Sequence, residues 1–126
     1  MDSFKTINDS YGHPVGDDVL VHLAALLRSH VRADDAVVSR LGGDELAVLL
    51  PGSPADVAAR RAEELLQAVR SAPLPLPDGA LLSLSVSVGV AHVPPGPGDL
   101  RVFYSAADAA LYEAKRAGRG RVAVAA

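Results

Sequence analysis

Between Arg40 and Leu46 the chain reads Arg40-Leu41-Gly42-Gly43-Asp44-Glu45-Leu46, a glycine pair followed at once by two acids. Paired glycines let a backbone approach a ligand closely, because no Cβ stands in the way. Carboxylates beside such a turn suit Mg²⁺ held jointly with substrate phosphates, since Mg²⁺ takes oxygen ligands and keeps substrate or water in its shell. The same residues also fit an ordinary polar hairpin turn, and on them alone both readings stand. Neighbouring side chains of a strand point to opposite faces, so Asp44 and Glu45 share one task only if the tip is irregular.

A second group lies upstream: Phe4-Lys5-Thr6-Ile7-Asn8-Asp9-Ser10-Tyr11-Gly12-His13, then Gly16-Asp17. An Asn amide donates to and accepts from a base edge, and a carboxylate accepts the paired N–H donors that guanine presents. Asn, Asp and Gly are equally plain turn residues. A third group, Asp108 to Lys115 followed by Gly118-Arg119-Gly120-Arg121, sets Lys115 and Arg119 four apart at a helix end. Cations are favoured there by the helix dipole and reach phosphate, although a solvated helix terminus has the same composition. The four His, at 13, 22, 30 and 92, show no metal-ligand spacing and read as surface or structural residues.

These groups need elements to hold them. Val19, Leu20, Leu23, Leu26, Leu27 and Val31 recur at three and four, a helical stripe over 19–31. Val37-Val38 and Ala47 to Leu50 bracket the glycine pair as a β-hairpin. Ser53-Pro54-Ala55-Asp56 predicts a helix start with Ser53 as N-cap. The helix would run to about Arg70 with Ala58, Ala62, Leu65, Leu66 and Val69 inward. Leu82 to Val90 alternates with Ser83, Ser85 and Ser87, the period of a half-covered strand. A last helix over 102–117 offers Val102, Ala106, Ala109, Ala110 and Tyr112 to the core, with Gly118 ending it and a short strand at 121–125. The order predicts an α/β sandwich, a sheet covered by helices.

At 126 residues the chain is one domain by the usual size of about 100–200 residues, and a chain of this length buries a real core without staples. The absence of Cys excludes disulfides, thiolate metal sites and thiol nucleophiles. A formal net charge of −3 argues against a nucleic-acid binder that neutralises many phosphates. No stretch has the roughly 18 uninterrupted apolar residues of a membrane span, and the start lacks a secretory signal, so the cytoplasm is the expected compartment.

Taken together, the segments FKTINDSYGHPVGDDVL, RLGGDEL, LSVSVGVA and AADAALYEAKRAGRGRV resemble, in order and spacing, the GGDEF domain of diguanylate cyclases. The resemblance covers nearly the whole chain. It implies a central, mostly antiparallel sheet flanked by helices, related to nucleotide cyclases and polymerase palms. The activity implied is condensation of two GTP into cyclic di-GMP with loss of two pyrophosphates. That reaction needs Mg²⁺ (or Mn²⁺) and a homodimer of two GTP-loaded copies, usually under an N-terminal sensory or regulatory domain.

Carried over residue by residue, the resemblance gives guanine recognition to Asn8 and Asp17. Lys5, Lys115 and Arg119 would hold the triphosphate, helped by backbone amides near Phe4. Gly42 and Gly43 would let the nucleotide pass over the hairpin. Asp44 would ligate metal and help deprotonate the attacking 3′-hydroxyl, with Glu45 essential beside it. The Met1 carbonyl would also contact metal, and Arg32 with Asp35 would form an inhibitory product site. A catalytically inactive domain that binds GTP or cyclic di-GMP as a signalling module is the alternative.

The chain departs from the family pattern in four places. Leu46 replaces the signature's Phe, a loss of volume costing about 1–3 kcal/mol if the space is not refilled. Gly120 stands where Asn is usual. Four residues separate Asp35 from Arg40, one more than the pattern, which demands a bulge or flips the side chains beyond. The sequence starts at the second position of the family's Asp-x-Asp-x-Phe-Lys pattern, so Asp2 matches its second Asp and a preceding metal carboxylate and first strand are implied. We therefore expect a piece of a longer protein, with little turnover of its own.

Overall fold

The computed structural model describes residues 1–30, 36–93 and 98–125. Its elements are α1 (Phe4–Tyr11), α2 (His13–His30), β1 (Val37–Gly42), β2 (Glu45–Leu49), α3 (Ala55–Ser71), β3 (Leu74–Pro75), β4 (Leu81–Leu82), β5 (Val88–Val90), α4 (Leu100–Arg116) and β6 (Val122–Val124). Mixed helix and strand is the expected class. Among the described residues the strands form three separate two-stranded ladders: β1 with β2 and β3 with β4 antiparallel, β5 with β6 parallel. Met1 and Asp2 lie between the first and last of these. The Met1 nitrogen donates to the Asp44 carbonyl at 3.1 Å, and the Asp2 N–H donates to the Ser85 carbonyl at 3.0 Å.

The core gathers Ile7, Val19, Leu23, Val69 and Leu84, with Leu26, Leu46, Leu82 and Val86 packed around them. Residues of α1, α2, α3 and the 82–90 stretch thus meet at the centre with Leu46 of the hairpin against them, fixed to one another by area removed from water. Leu46 belongs to this packing, so the smaller residue at the signature's last position still reaches the core.

Several expected boundaries move. The helix read from Val19 begins at His13, and a separate helix, α1, covers the segment that reads as turn-like. Only its Ile7 is buried, so α1 leaves almost no apolar period to detect. Ser53 is not the N-cap of α3. Pro54 is, in an extended conformation with no side-chain cap bond, and its carbonyl accepts the first helical bond from Ala58 at 3.0 Å. The alternation over 82–90 is ladder-bonded only at its ends, as β4 and β5. Val102, Ala109 and Tyr112 do not enter the core. The buried residues of α4 are Ala110 and Ala114, and Tyr112, two positions from Ala110, falls on the other side of the helix.

Gly89 explains why α4 buries alanines. A Cβ there would overlap the Ala107 carbonyl oxygen and the Leu111 nitrogen and lie 2.8 Å from Leu111 Cα. Strand β5 and α4 touch backbone to backbone.

Candidate active site

The hairpin tip is irregular. The register runs Arg40 opposite Leu46 and then Gly42 opposite Glu45, leaving Leu41 as an extra residue, and Asp44 sits in the turn itself rather than on a strand. The strict alternation that would separate the two acids therefore does not apply. Gly42 and Gly43 both take positive φ, and among the described residues a Cβ on either would meet nothing within 4 Å. The glycines serve the backbone path and leave open space above it. Arg40 secures the turn, its guanidinium donating to the Gly43 carbonyl at 3.0 and 2.7 Å. Neither acid is needed for that.

Asp44 is half-exposed, its Oδ2 3.9 Å from the Met1 nitrogen. Burial lowers the pKa of the Met1 amino group, while Asp44 and Asp2 pull it up and Lys115 adds to the lowering. Lys115, on the last turn of α4, thus faces the same region as Asp44. The Glu45 charge, with smaller effects of burial and Asp108, raises the Tyr104 phenol, which places Tyr104 beside the second acid. Nothing in the sequence singled out Tyr104, because its neighbour lies on another element.

Asp2 is the one buried charged residue among the described residues, 6% exposed. Its carboxylate accepts from Ser85 Oγ at 2.7 Å, Ser87 Oγ at 2.6 Å and the Gly120 N–H at 3.1 Å. Ser85 and Ser87 of the alternating stretch are therefore inward partners rather than a solvent face, while Ser83 is exposed. Burial works to raise the Asp2 pKa, but the Ser87, Ser85 and Gly120 hydrogen bonds outweigh it and the net shift is downward. On the far side of the same loop, Arg70 donates to the Gly120 carbonyl. Gly118, Arg119 and Gly120 all have positive φ, so Arg119 is presented from a left-handed backbone clamped at Gly120. Position 120 suits the family's usual Asn for the same reason, since Asn is among the side chains that visit this conformation.

This clasp carries a prediction. Asp2→Asn should destabilise the protein by about 3 kcal/mol, because an amide cannot accept all three bonds at full strength. A carboxyl whose folded pKa lies below its unfolded value contributes stability above the unfolded pKa, lost as pH falls through the folded one. Denaturant titrations should show the wild type losing this contribution below about pH 4 and the variant lacking that acid limb. Identical acid limbs would remove Asp2 from the account.

The base-binding candidates meet between α1 and α2. Asn8 packs onto buried Gly16, and Asp17 follows directly, exposed. Among the described residues Asn8 Oδ1, packed against Gly16, is buried and without a hydrogen-bond partner. Ser3 enters α1 with φ 59° and gives no side-chain cap, so the first-turn N–H groups at Phe4 and Lys5 keep no intrahelical acceptor. Helix N-terminal amides of this kind bind phosphate. Lys5, Lys115 and Arg119 are exposed. His22, by contrast, is structural, its Nε2 2.7 Å from the Ala72 carbonyl.

Comparison with known proteins matches the family described as "Diguanylate cyclase, GGDEF domain" over residues 1–121. The chain belongs to the GGDEF family. Its GGDEF domain is 43% identical over 129 residues to the probable diguanylate cyclase DgcC of Escherichia coli, covering all of this chain and 33% of DgcC. It is 46% identical over 125 residues to the uncharacterized protein YhcK of Bacillus subtilis, covering 97% of this chain and 34% of YhcK. The chain thus spans about a third of the curated relatives it matches. The crystal structure of the GGDEF domain of YfiN (TpbB) from Pseudomonas aeruginosa superposes with a TM-score of 0.89 at 42% identity, over 99% of this chain and 77% of that one. The GGDEF domain of DgcB from Caulobacter crescentus, solved in complex with c-di-GMP, gives 0.89 at 35% identity, over 98% and 72%.

Within this GGDEF domain, the described residues contain no cluster of three His, Asp or Glu able to enclose a metal. Asp44, half-exposed beside the Met1 main chain, offers one carboxylate to a divalent cation whose remaining ligands would come from outside the protein. Arg32 and Asp35, the expected inhibitory pair, lie outside the described residues. No described helix is long and apolar enough to cross a membrane.

Proposed function

We propose that the chain is the catalytic domain of a diguanylate cyclase. The observation that carries this reading is the Gly42-Gly43 tip, open above its backbone, with Asp44 set against Met1 and the clasped Asp2. Membership of the GGDEF family supplies the reaction class. Two GTP would be held head to tail by two copies of the domain. Each 3′-hydroxyl attacks the other nucleotide's α-phosphorus, two P–O bonds form, and two pyrophosphates and two protons leave.

On this reading Asn8 and Asp17 read guanine, and Lys5, Lys115, Arg119 and the first-turn amides at Phe4 hold phosphates. Asp44 with the Met1 carbonyl would hold Mg²⁺ or Mn²⁺, which when bound supplies charge at the attacking and leaving oxygens. Glu45 lies one residue on, its charge felt by Tyr104. Arg32 and Asp35 would bind product and restrain turnover. An upstream sensory domain and a cytoplasmic setting fit the same picture.

The full-length protein incubated with GTP and Mg²⁺ should yield cyclic di-GMP by chromatography. GTP binding without product would instead mark a silent, nucleotide-binding signalling domain. Guanine should be preferred over adenine by several kcal/mol, because a site that pairs with one base edge leaves polar groups unpaired against the other. Asp17→Asn should accordingly weaken GTP far more than ATP in calorimetry. Equal affinities for both nucleotides in the wild type would sink the assignment of Asn8 and Asp17.

A further inference from the structure

Gly16 lies inside α2 and is buried, yet it has an ordinary helical φ, so no turn or left-handed backbone requires a glycine there. Glycine within a helix is disfavoured relative to alanine. Its use at this point therefore answers a need for space. A Cβ at position 16 would overlap Asn8 Oδ1, lie 2.9 Å from Asn8 Cγ and come within 3.4 Å of Phe4 Cζ. The Asn8 amide occupies the volume that a side chain at 16 would fill. Among the described residues no hydrogen bond draws it there, since Oδ1 is buried with no partner.

We infer that the absent side chain at Gly16 sets Asn8 for the guanine edge, making Gly16 a specificity-determining position that acts through Asn8. The inference rests on the reading of Asn8 as a base contact. An amide is planar, with its acceptor and its donor group at a fixed angle, so seating one end against α2 fixes the direction of the other. Asp17 follows Gly16 in the same helix, so the hollow also fixes the spacing between amide and carboxylate. An added methyl at 16 meets the far end of a flexible side chain rather than backbone. Asn8 would swing away and the helix would stay.

The test is a double-mutant cycle of Gly16→Ala and Asn8→Ala in the full-length protein. Calorimetry would use the α,β-methylene analogues of GTP and ATP, so that no turnover intervenes. Gly16→Ala should lose about tenfold or more in affinity for the GTP analogue and leave the ATP analogue unchanged. In the Asn8→Ala background, the same change should alter GTP-analogue affinity less than about twofold, because the residue it acts through is gone. Equal losses in both backgrounds would show that Gly16 acts through general packing and overturn the inference, as would wild-type affinity in Gly16→Ala. Should Gly16→Ala lower the melting temperature, adding Asn8→Ala must restore it, and failure to do so also overturns the inference. An Asn8→Ala variant that binds the GTP analogue as tightly as wild type would remove the base-contact reading itself and this inference with it.

Discussion

Replacing Asp44 by Asn is expected to cut cyclic di-GMP synthesis by the full-length protein more than about 100-fold, the range that changes behind a metal ligand already reach. Glu45→Gln should do the same. The melting temperature should stay within about 2 °C in both cases, as for surface changes generally. The stability half of this expectation follows from how the tip is built. Arg40 and the backbone hold the turn, and among the described residues a Cβ on either glycine would meet nothing within 4 Å. Asp44 is half-exposed, with no hydrogen bond to its carboxylate among the described residues. A carboxylate that stands at an open glycine tip, tied to the fold by a 3.9 Å approach to the Met1 nitrogen, is free for chemistry. Synthesis by Asp44→Asn at the wild-type rate, with Mg²⁺ present, would refute its metal-site role, and the same result for Glu45→Gln would refute the need for that acid. A collapse in melting temperature would return that acid to structure.

How much of this was legible beforehand depended on whether a residue's partner lay on its own element. The stripes that build α2, α3 and the β1–β2 hairpin are local periodicities, and each element appeared where its stripe lies, although α2 starts six residues before the first residue of its stripe. The glycine tip was legible too, because a glycine pair beside two acids needs no distant partner to be recognised. Asp2 shows the limit. A single acid near the start of the chain carries no sign that Ser85, Ser87 and Gly120, more than eighty residues away, will close on its carboxylate. The serines themselves misled in one respect, since their period-two spacing suggested a solvent face when two of them turn toward a buried charge. Helix α1 was illegible for a simpler reason: eight residues with one buried side chain leave no stripe. Alanines in α4 offered no bulk by which to choose the inward face. That choice is made by Gly89 on β5.

Gly89→Ala is therefore the substitution expected to damage the fold most. The new methyl would overlap the Ala107 carbonyl oxygen and the Leu111 nitrogen, both backbone atoms of a regular helix. Flexible side chains give way by rotation, but here α4 would have to move bodily from β5. Overpacking a close contact typically costs about 1–3 kcal/mol and sometimes more, and a clash with backbone on both sides belongs at the upper end. We expect a loss of about 3–5 kcal/mol, read as a fall of roughly 10 °C or more in the melting temperature. The consequence extends to the site, because α4 carries Lys115 and leads into the loop that presents Arg119. Displacing it should weaken the grip on triphosphate even in molecules that remain folded. Gly98→Ala is the control: among the described residues a Cβ there meets only Val93 Cγ1, at an ordinary 3.8 Å, and it should leave stability unchanged. Thermal unfolding of the two variants beside wild type decides the matter. Equal melting temperatures would mean that α4 does not rest on β5 through bare backbone, and that its alanines face inward for some other reason.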